Sequence, residues 1–568
     1  MKKIKTQLGL LFLIFTQISI SQVNSTNGIS KSQERQIDSL FIGFNDTTKP
    51  GVVMAIIHDK KVVYKKSFGA ANITYKTPIG SDTKFQIADM ARHFTAFGIL
   101  LLEKQKKLSL EDDARKYISQ LSRYVKPIKI VDLLRNSDGL YDVNALKTVS
   151  GRSHDFEISN DQVLGILPNI TSSNFSPGTN YQYTDTSIIL LTEIIKKVSG
   201  STFSEFMDKE VFEPVRMTNT TFVESENVVL TNLATPYRNR NDQFVDGDTF
   251  DEVFGISNLF STIDDLVKWE LNVMNPNPEN KLIFEKLNSL VTLDNKKEYS
   301  TSLGKLTYGQ QFTHLERGLS STYHTGQYGG FASSMFRFPD QNYAAIVLSN
   351  NGLEYNGYFG VLAAHILLRN KFPEPPSIDI ESLDTQPISR GELQKYEGTY
   401  WDQEGGFYRT LKVENDTLKY ARTNGFVSPL IYLGKDKFQM VLDWDDKIFI
   451  HFEKGKKTFR FINGEADPIL FQRFILKEKL SQKAQEYVGT FYTKELQIGY
   501  DIRLHDGKLV VSNVFTEDVE LTPIMDELFH GNQWFMRAIR FQRNSKNEIT
   551  GFSTAMNDIM GLWFEKMK

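Results

Sequence analysis

The sequence of 568 residues contains no cysteine. Disulfide bonds, thiolate metal sites and a thiol nucleophile are therefore excluded, and the fold has to be stable without cross-links. The nine histidines form no HExxH-like cluster, so the sequence predicts no metal site and no other cofactor. A long run of basic residues is also missing, and 66 basic against 69 acidic residues leave a net charge of −3. Nucleic acid is therefore not an expected partner.

The N-terminus has the pattern of an export signal. Three lysines lie within the first five residues, an apolar stretch follows at 8–15, and small residues occur at 19–21. This order predicts a cleavable signal peptide at 1–21 and a mature chain that begins near Gln22. We expect a periplasmic or secreted protein with no lipid-anchored cysteine and no transmembrane segment in the mature chain. An uncleaved N-terminal anchor is the alternative.

Hydrophobic periodicity in the first two thirds of the chain predicts both strands and helices. The predicted segments are a hairpin at 52–57 and 62–64, helices at about 90–101 and 187–198, paired strands at 333–338 and 343–348, and a closing helix at 358–368. Strands at both ends with helices between them predict one α/β (α+β) domain. Its terminal segments should share an antiparallel sheet that is flanked by helices.

The composition changes after this domain. Four prolines and several acidic residues fall within 373–389, which predicts a linker. Beyond it the pattern is one of short strands and turns. Two similar motifs, Tyr-Glu-Gly-Thr-Tyr from Tyr396 and Tyr-Val-Gly-Thr-Phe from Tyr487, start 91 residues apart. We interpret 390–476 and 480–568 as two all-β modules, each a small barrel. Chance recurrence of a short aromatic motif is the alternative.

A set of short motifs occurs in a fixed order between Gly51 and Leu368. In chain order they are Thr83-Lys84-Phe85, Leu108-Ser109-Leu110, Asp132-Leu133-Leu134, Pro177-Gly178-Thr179, Tyr183-Thr184-Asp185, Phe212-Glu213-Pro214, Ser261-Thr262 and His324-Thr325-Gly326. Together they resemble the β-lactamase family in its broad sense, which includes class C β-lactamases, DD-peptidases, esterases and D-aminopeptidases. The resemblance implies a β-lactamase/penicillin-binding-protein-like domain at 22–372, and some such relatives carry β-barrels after it.

The family resemblance also implies a catalytic site. In the family a serine that opens a helix is the nucleophile, and a lysine three residues later helps to remove its proton. A Tyr-x-Asn motif and a Lys-Thr-Gly or His-x-Gly motif complete the site. Alignment on Ile87-Ala88 and Phe94-Thr95-Ala96 places Asp89 at the serine position and Arg92 at the lysine position.

Both replacements remove chemistry that hydrolysis needs. A carboxylate is a poor acyl acceptor, and we expect the helix N-terminus to keep Asp89 ionised. Arg92 cannot act as a base, because its guanidinium stays protonated. The sequence instead predicts a salt bridge between the two residues over one helical turn, in which their charges neutralise each other.

The other two motifs are retained in part. Tyr183 matches the family tyrosine, whereas Asp185 replaces the asparagine, and a carboxylate there favours a cationic or amine-bearing ligand. The His324-Thr325-Gly326 motif is intact and is predicted to form the far wall of a ligand pocket. Purely structural roles for Tyr183 and His324 are the alternatives.

Two further stretches bear on the site. Asn136-Ser137-Asp138-Gly139 occurs where the family often has His-x-Ser-Gly. Ser81 and Lys84 also satisfy Ser-x-x-Lys, but Ser81 lies eight residues before Asp89, in a predicted turn and not at a helix start. A shifted nucleophile at Ser81 is therefore a minor alternative.

Two functional hypotheses follow. The first is an exported pseudoenzyme that binds a small molecule, a peptide, a cell-wall fragment or a partner protein in the former active-site cleft. The second is an active hydrolase of esters, D-peptides or β-lactams, in which Tyr183, Asp185, Asp89 and His324 act on a water or a shifted serine. The joint loss of serine and lysine favours the first hypothesis. The sequence alone leaves the ligand open.

Overall fold

The computed structural model describes residues 28–568 with gaps. The gaps are at 45, 125, 152–158, 226, 242, 249–254, 302, 353–355, 374–384, 403–404, 424, 443–446, 465, 478–479, 481–483, 517 and 557–558. The predicted signal peptide lies outside the described residues, and so does most of the predicted linker.

The N-terminal domain is built on one large antiparallel sheet. Its strands and those of the smaller sheets are β1 (Val52–His58), β2 (Lys61–Phe68), β3 (Ala70–Asn72), β4 (Thr77–Pro78), β5 (Phe85–Gln86), β6 (Thr221–Phe222), β7 (Tyr237–Arg240), β8 (Gln243–Asp246), β9 (Leu259–Ser261), β10 (Ser300–Thr301), β11 (Gly304–Leu306), β12 (Phe312–Glu316), β13 (Leu319–Tyr328), β14 (Phe331–Phe338) and β15 (Tyr343–Ser349). The large sheet has eight strands in the order β10-β11-β12-β13-β14-β15-β1-β2.

The two ends of the domain meet in this sheet. Strand β1 pairs with β15 in an antiparallel register from Val52 opposite Ser349 to His58 opposite Tyr343. Strands β14 and β15 are buried along their whole length, and β1 along nearly all of it. Helices cover both faces, which explains why β1 and β15 are almost continuously apolar. The predicted hairpin, the second strand pair and the shared sheet are confirmed.

Ten helices of the N-terminal domain flank the sheet among the described residues. They are α1 (Lys31–Ser39), α2 (Ala91–Lys104), α3 (Ile130–Leu134), α4 (Val143–Val149), α5 (Asn160–Ile166), α6 (Asp185–Ser199), α7 (Phe203–Met207), α8 (Ile263–Met274), α9 (Lys281–Asn288) and α10 (Asn356–Leu367). Helix α6 is bounded by local signals: the Thr184 side chain accepts from Ser187 N, and Gly200 has the left-handed φ of 74° that ends many helices. The three helices predicted from periodicity correspond to α2, α6 and α10.

The C-terminal part forms two closed eight-stranded barrels. A short helix α11 (Arg390–Leu393) precedes the first barrel, which contains β16 (Gly398–Asp402), β17 (Phe407–Glu414), β18 (Thr417–Arg422), β19 (Val427–Gly434), β20 (Lys437–Met440), β21 (Ile448–Phe452), β22 (Thr458–Asn463) and β23 (Ile469–Phe474). The second contains β24 (Gly489–Thr493), β25 (Ile498–His505), β26 (Lys508–Ser512), β27 (Val519–Met525), β28 (Leu528–Gly531), β29 (Ala538–Arg543), β30 (Ile549–Met556) and β31 (Ile559–Lys566). Closure leaves neither sheet with an exposed edge.

The first five strands of the two barrels repeat each other at one offset. Strands β16, β17 and β20 begin and end 91 residues before β24, β25 and β28. Turn residues follow the same spacing, since Asp436 and Glu527 both have a positive φ, of 62° and 61°. The recurrence of the two tyrosine motifs is therefore a structural repeat. The module boundaries at 390–476 and 480–568 stay predictions.

The second barrel contacts the N-terminal domain through hydrogen bonds that are buried or partly buried. The Tyr500 hydroxyl donates to the Val149 carbonyl at 2.7 Å. The Tyr141 hydroxyl donates to the Met560 carbonyl at 2.9 Å, and the Met560 N–H donates to Asn174 Oδ1 at 2.7 Å. Apolar side chains of this barrel and of the N-terminal domain belong to one continuous core. The contact lies beside α4 and the start of α6, the region that carries Tyr183 and Asp185.

Candidate functional site

A tight turn before α2 holds Asp89. Residues Ala88–Met90 form a 3-10 turn, and the α-helix begins only at Ala91. Ala88 has a φ of 47°, a left-handed conformation that residues with a Cβ rarely adopt and that often marks functional turns. The Asp89 side chain is 39% exposed. The sequence placed Asp89 in the first turn of the helix, and the structure corrects this to the turn that leads into it.

The Arg92 guanidinium is buried and hydrogen-bonded through all three of its nitrogens. Its Nε donates to Asp89 Oδ1 at 3.2 Å, its Nη1 to the Thr184 carbonyl at 3.0 Å, and its Nη2 to Asp185 Oδ1. The ring of Tyr183 lies 4.3 Å from the guanidinium carbon, within the range of a cation–π contact. The predicted pair of Asp89 and Arg92 is present. Because Arg92 is shared with a second carboxylate, however, it does not neutralise Asp89 alone.

Asp185 is the first residue of α6 and is held from several sides. Its own N–H donates to Asp142 Oδ2 at 2.9 Å, and its carboxylate accepts from Arg92 and from Asn144 Nδ2. The carboxylate that the sequence assigns to a cationic ligand is thus already paired within the protein. Sequence reasoning missed Asn144, because nothing in the local pattern of α4 connects it with a motif 41 residues away.

Burial changes the ionisation of the three groups. Burial raises the pKa of Asp89, and the attraction of Arg92 opposes this only in part. Burial also raises the pKa of the Tyr183 hydroxyl, which stays protonated at neutral pH. Burial alone would lower the pKa of Arg92, but Tyr183, Asp185 and Asp89 outweigh it and keep the guanidinium charged.

His324 lies on β13 and is almost completely buried. Within the described part of the chain, neither of its ring nitrogens has a hydrogen-bond partner. Burial lowers its pKa, and the positive charge of Arg92 lowers it further, so the imidazole is neutral. Thr325 points to the opposite face of the strand and is exposed. A buried polar ring without a partner is unusual in a folded protein.

Gly326 lets β13 approach the turn that carries Asp89. A Cβ at Gly326 would lie 2.3 Å from the Ile87 carbonyl oxygen and 2.8 Å from the Asp89 backbone nitrogen, which is too close for any side chain. The Ser333 hydroxyl on β14 donates to the same Ile87 carbonyl at 2.7 Å. The structure therefore brings the Asp89 position and the His324-Thr325-Gly326 motif together, as the sequence predicts.

Half of β13 has an open edge. Strand β12 pairs with β13 from Leu319 to Tyr323 and no further, whereas β14 pairs with it as far as Tyr328. In the described residues no strand therefore pairs with 324–328 on the side opposite β14. Open backbone N–H and C=O groups in an extended strand can bind another extended chain. The edge adjoins the Asp89 turn, so both features belong to one cleft.

The remaining sequence candidates lie outside this cleft. Ser81 is exposed in a turn before β5, and Lys84 Nζ donates to the Thr231 carbonyl at 3.2 Å, so neither belongs to a nucleophile and base pair at a helix start. Asn136 is buried with a φ of 55°, and its side-chain amide donates to Gln310 Oε1 at 2.9 Å. The stretch that replaces His-x-Ser-Gly is thus a core connection beside α6.

The described residues lack two further features. They contain no group of three or more His, Asp or Glu side chains placed to hold a metal ion. None of the helices in this part of the chain combines the length and the apolar character that crossing a bilayer needs.

Comparison with protein families gives one match, to the family described as Beta-lactamase, over residues 37–367. This range is more than half of the chain and spans the cleft. The protein belongs to the β-lactamase family. Penicillin-binding protein 4* of Bacillus subtilis (strain 168) is 24% identical over 395 residues, which cover 66% of this chain and 85% of that protein. A D-aminopeptidase of Brucella anthropi is 22% identical over 305 residues, which cover 53% of this chain and 56% of the relative.

A solved structure has the same fold over a longer stretch. The octameric penicillin-binding protein homologue from Pyrococcus abyssi matches with a TM-score of 0.53 and 21% identity, and the match covers 78% of this chain and 99% of that one. At this identity the likeness concerns the fold alone. The N-terminal part of the chain thus has a β-lactamase/penicillin-binding-protein-like fold.

Proposed function

We propose that the protein is an exported, non-hydrolytic member of the β-lactamase family that binds a peptide or a cell-wall fragment in its cleft. Export rests on the charged and apolar pattern of residues 1–21. We infer that the protein does not hydrolyse its ligand because the side chains at positions 89 and 92 cannot act as nucleophile and base. A peptide-like ligand rests on the shape of the cleft and on the similarity to a D-aminopeptidase.

The hydrogen bonding of Arg92 is the observation that carries the proposal. A base for nucleophilic catalysis must lose its proton and contact the nucleophile. Arg92 stays protonated and donates to Asp89, to Asp185 and to the Thr184 carbonyl. The position of the family nucleophile therefore holds a carboxylate bound to a fixed cation, an arrangement that stores no acyl group and activates no hydroxyl.

The open half of β13 supports an extended ligand. A peptide that lies along 324–328 could form backbone hydrogen bonds as an added strand, and the side chains around Asp89 would select among peptides. Cell-wall fragments that carry short peptides offer the same amide groups. Catalysis by serine is not needed for binding of this kind.

The alternative of a hydrolase with rearranged residues has less support. Asp185 is paired with Arg92 and Asn144, and Tyr183 keeps its proton. The neutral imidazole of His324 is the feature that favours this alternative most, because a neutral ring can accept a proton. In the described residues, however, no side-chain hydroxyl or carboxylate is hydrogen-bonded to it.

Intact-mass measurement tests the proposal. The purified mature protein is incubated with a fluorophosphonate and, separately, with benzylpenicillin, beside a serine-containing member of the family as the positive control. We expect the positive control to gain the mass of each reagent and this protein to gain none. A stoichiometric adduct would contradict the proposal, and peptide mapping would then identify the serine, with Ser81 examined first. For export, N-terminal sequencing of the protein from its native host should give a chain that starts near Gln22.

A further inference from the structure

We propose that the mouth of the first barrel binds a small organic anion, and that Arg409 and Arg422 hold its carboxylate or phosphate group. This binding site lies in a different domain from the cleft and goes beyond the proposed function. The class of ligand follows from two guanidinium groups that lack a carboxylate partner and from the apolar side chains beside them.

The mouth of the first barrel is the end at which β17 and β19 begin and β18 ends. Arg409 and Arg422 lie there directly opposite each other on the neighbouring strands β17 and β18. Leu411 and Tyr420, each two residues further into its strand, belong to the barrel core. Because alternate residues of a strand share a face, both arginines point into the barrel and not towards its outer surface.

The contacts of Arg422 agree with this placement. Its Nη1 donates to the Ser428 hydroxyl at 3.0 Å, and its Nη2 lies 3.4 Å from the Met440 sulfur. Ser428 and Met440 are both buried. The guanidinium carbon also lies 5.3 Å from the ring centroid of the buried Tyr420. The charged group of Arg422 is therefore inside the mouth, against the core.

In the described part of the chain neither guanidinium has a hydrogen bond to a carboxylate. Arg409 Nη1 donates to the Tyr408 carbonyl at 2.9 Å, and its Nε is buried without a partner. Arg422 has only the Ser428 hydroxyl and the Met440 sulfur. Like charges directly opposite each other destabilise a sheet, and an unpaired buried donor adds a further cost. An anion bound between the two guanidinium groups would remove both costs.

The electrostatic surroundings of Arg409 support this arrangement. Burial lowers the pKa of Arg409, and the charge of Arg422 lowers it further. Tyr420 and the carboxylate of Asp402 oppose this shift, but only in part. The acid nearby thus does not compensate the buried cation, which remains protonated because the pKa of arginine is so high.

The second barrel provides an internal comparison, because its mouth is closed by another part of the protein. Tyr500 occupies the position of Arg409, since Tyr500 pairs with the first strand of its barrel as Arg409 does. The next strand ends beside Asn513, at the position of Arg422. The Tyr500 hydroxyl donates to the Val149 carbonyl of the N-terminal domain. The first barrel has two cations in place of these neutral groups, which suits an anionic partner.

Apolar side chains lie beside the arginines and define the rest of the ligand. The Phe407 ring centroid is 4.0 Å from the guanidinium carbon of Arg409, and the Phe426 carbonyl accepts from Arg422 N at 2.8 Å. Phe426 is 69% exposed, and Ile469, where β23 begins at the same end, is 38% exposed. Guanidinium groups bind carboxylate and phosphate oxygens in pairs. The mouth therefore suits an anionic group attached to an apolar chain or ring.

The chain itself contains a competing anion. The residues that join the strands at this mouth and lie outside the described part of the chain include five acids, which are Glu404, Asp443, Asp445, Asp446 and Glu465. One of these carboxylates bound to the arginines would take the place of a ligand. The experiment distinguishes the two cases, because in the second case added anions do not bind.

The experiment compares octanoate and octyl phosphate with octanamide, which has the same apolar chain and no charge. Binding to the full mature chain is measured by isothermal titration calorimetry. At least one of the two anions should bind roughly tenfold more tightly than octanamide, because hydrogen bonds between charged groups are the stronger ones. The preferred anion identifies the group as a carboxylate or a phosphate. Inorganic phosphate should bind more weakly than octyl phosphate if the apolar side chains contribute.

Hydrogen exchange locates the site. Exchange in β17 and β18 should become slower when the preferred anion is bound, and exchange in the equivalent strands β25 and β26 should not change. The variants Arg409→Gln and Arg422→Gln should each weaken anion binding roughly tenfold. Arg422→Lys, which keeps the charge and loses the planar fork, should weaken it less. Since each glutamine variant removes one of two facing like charges, it should fold as stably as the wild type, which urea unfolding checks.

Arg503→Gln is the matched control. Arg503 lies on β25 of the second barrel, also donates to a serine hydroxyl, that of Ser512 at 2.7 Å, and is paired with Asp518. This variant should bind the anion as the wild type does. Equal binding of anions and octanamide, no binding of either anion, protection confined to other strands, or unchanged affinity of the Arg409 and Arg422 variants would each overturn the inference. Covalent labelling of the cleft would contradict the proposed function and leave this test valid.

Discussion

Arg92 on α2 and Asp185 at the start of α6 form an ion pair that joins the two helices on which the family carries its catalytic motifs. Under the proposed function both residues depart from the family pattern, and in the structure each one compensates the charge of the other. A guanidinium that is 2% exposed needs a carboxylate partner, and a carboxylate in this position needs a cation. Under the proposed function, the contact that replaces the catalytic residues therefore also stabilises the cleft.

The first prediction concerns this ion pair. Arg92→Met removes the buried cation and leaves Asp89 and Asp185 facing each other, so the free energy of unfolding should fall by about 3–5 kcal/mol. The double variant Arg92→Met/Asp185→Asn should be more stable than the single variant, because it removes one of the unpaired charges. Urea unfolding of both variants and of Asp185→Asn gives the coupling energy between Arg92 and Asp185. Purely additive effects of the two substitutions would contradict the presence of this ion pair.

A second prediction concerns restoration of the nucleophile. Asp89→Ser with Arg92→Lys should restore at most slow labelling by a fluorophosphonate, because Asp185 would hold the introduced lysine in its protonated form. Adding Asp185→Asn removes this carboxylate. A neighbouring opposite charge shifts a pKa by about 1–3 units, so the pKa of the introduced lysine should fall. Labelling should then become roughly tenfold faster or more. The rates are measured by intact mass over time. Equal rates for the double and the triple variant would show that Asp185 does not control the lysine.

A third prediction concerns pH and the buried Asp138. Burial raises its pKa from 3.8 to about 6, although hydrogen bonds from Ser187 and Leu140 oppose the shift. Between about pH 4 and pH 6 the folded protein therefore holds a proton that the unfolded chain has released. The free energy of unfolding should decrease as the pH rises through this interval, by up to about 3 kcal/mol from this group.

The variant Asp138→Asn tests this dependence. Its carbonyl oxygen can still accept from Leu140 N, and its amide can donate to the Ser187 hydroxyl, so the hydrogen bonds are kept and the charge is lost. We measure urea unfolding at pH 4.5, 5.5, 6.5 and 7.5. The free energy of unfolding of the variant should increase relative to that of the wild type as the pH rises. A difference between the two proteins that does not vary with pH would contradict the assigned pKa.

A fourth prediction concerns the docking of the second barrel. Tyr500→Phe removes the hydroxyl that donates to the Val149 carbonyl, a hydrogen bond between two domains, and leaves a buried carbonyl unpaired. We expect a cost of about 1–3 kcal/mol and faster hydrogen exchange in α4. Tyr400→Phe is the matched control, because the Tyr400 hydroxyl donates to the Tyr396 carbonyl within the first barrel. Faster exchange in α4 for both variants would show that the hydrogen bond does not secure docking.

Much of the fold could be predicted from the sequence, because its signals are local. The periodic apolar residues of α2 and α6, the Gly200 that ends α6 and the continuous apolar run of β15 each act within a few residues. The spacing of Tyr396 and Tyr487 likewise predicted two similar modules. Closure of each module into an eight-stranded barrel depends on pairing between its first and last strands, for example β16 with β23, which no local pattern specifies.

The residues of the site could be predicted from the sequence, but the hydrogen bonds among them could not. The family motifs identified Asp89, Arg92, Asp185 and His324, and the structure gathers them around one cleft. The sequence favoured a simple pair of Asp89 with Arg92, three residues apart, because short-range pairs are visible in a helical pattern. Sharing of Arg92 with Asp185 depends on how α2 and α6 pack, over a separation of 93 residues, and could be seen only in three dimensions.

The shared strand register of the two barrels has a consequence for how the second one attaches to the N-terminal domain. Arg409 occupies the place in the first barrel that Tyr500 occupies in the second, because Arg409 pairs with Tyr400 as Tyr500 pairs with Phe491. Docking of the second barrel uses the Tyr500 hydroxyl and also the backbone of Met560 on the last strand. The barrel fold, which both modules share, is therefore not enough for attachment, which depends on one hydroxyl and on the local path of one strand.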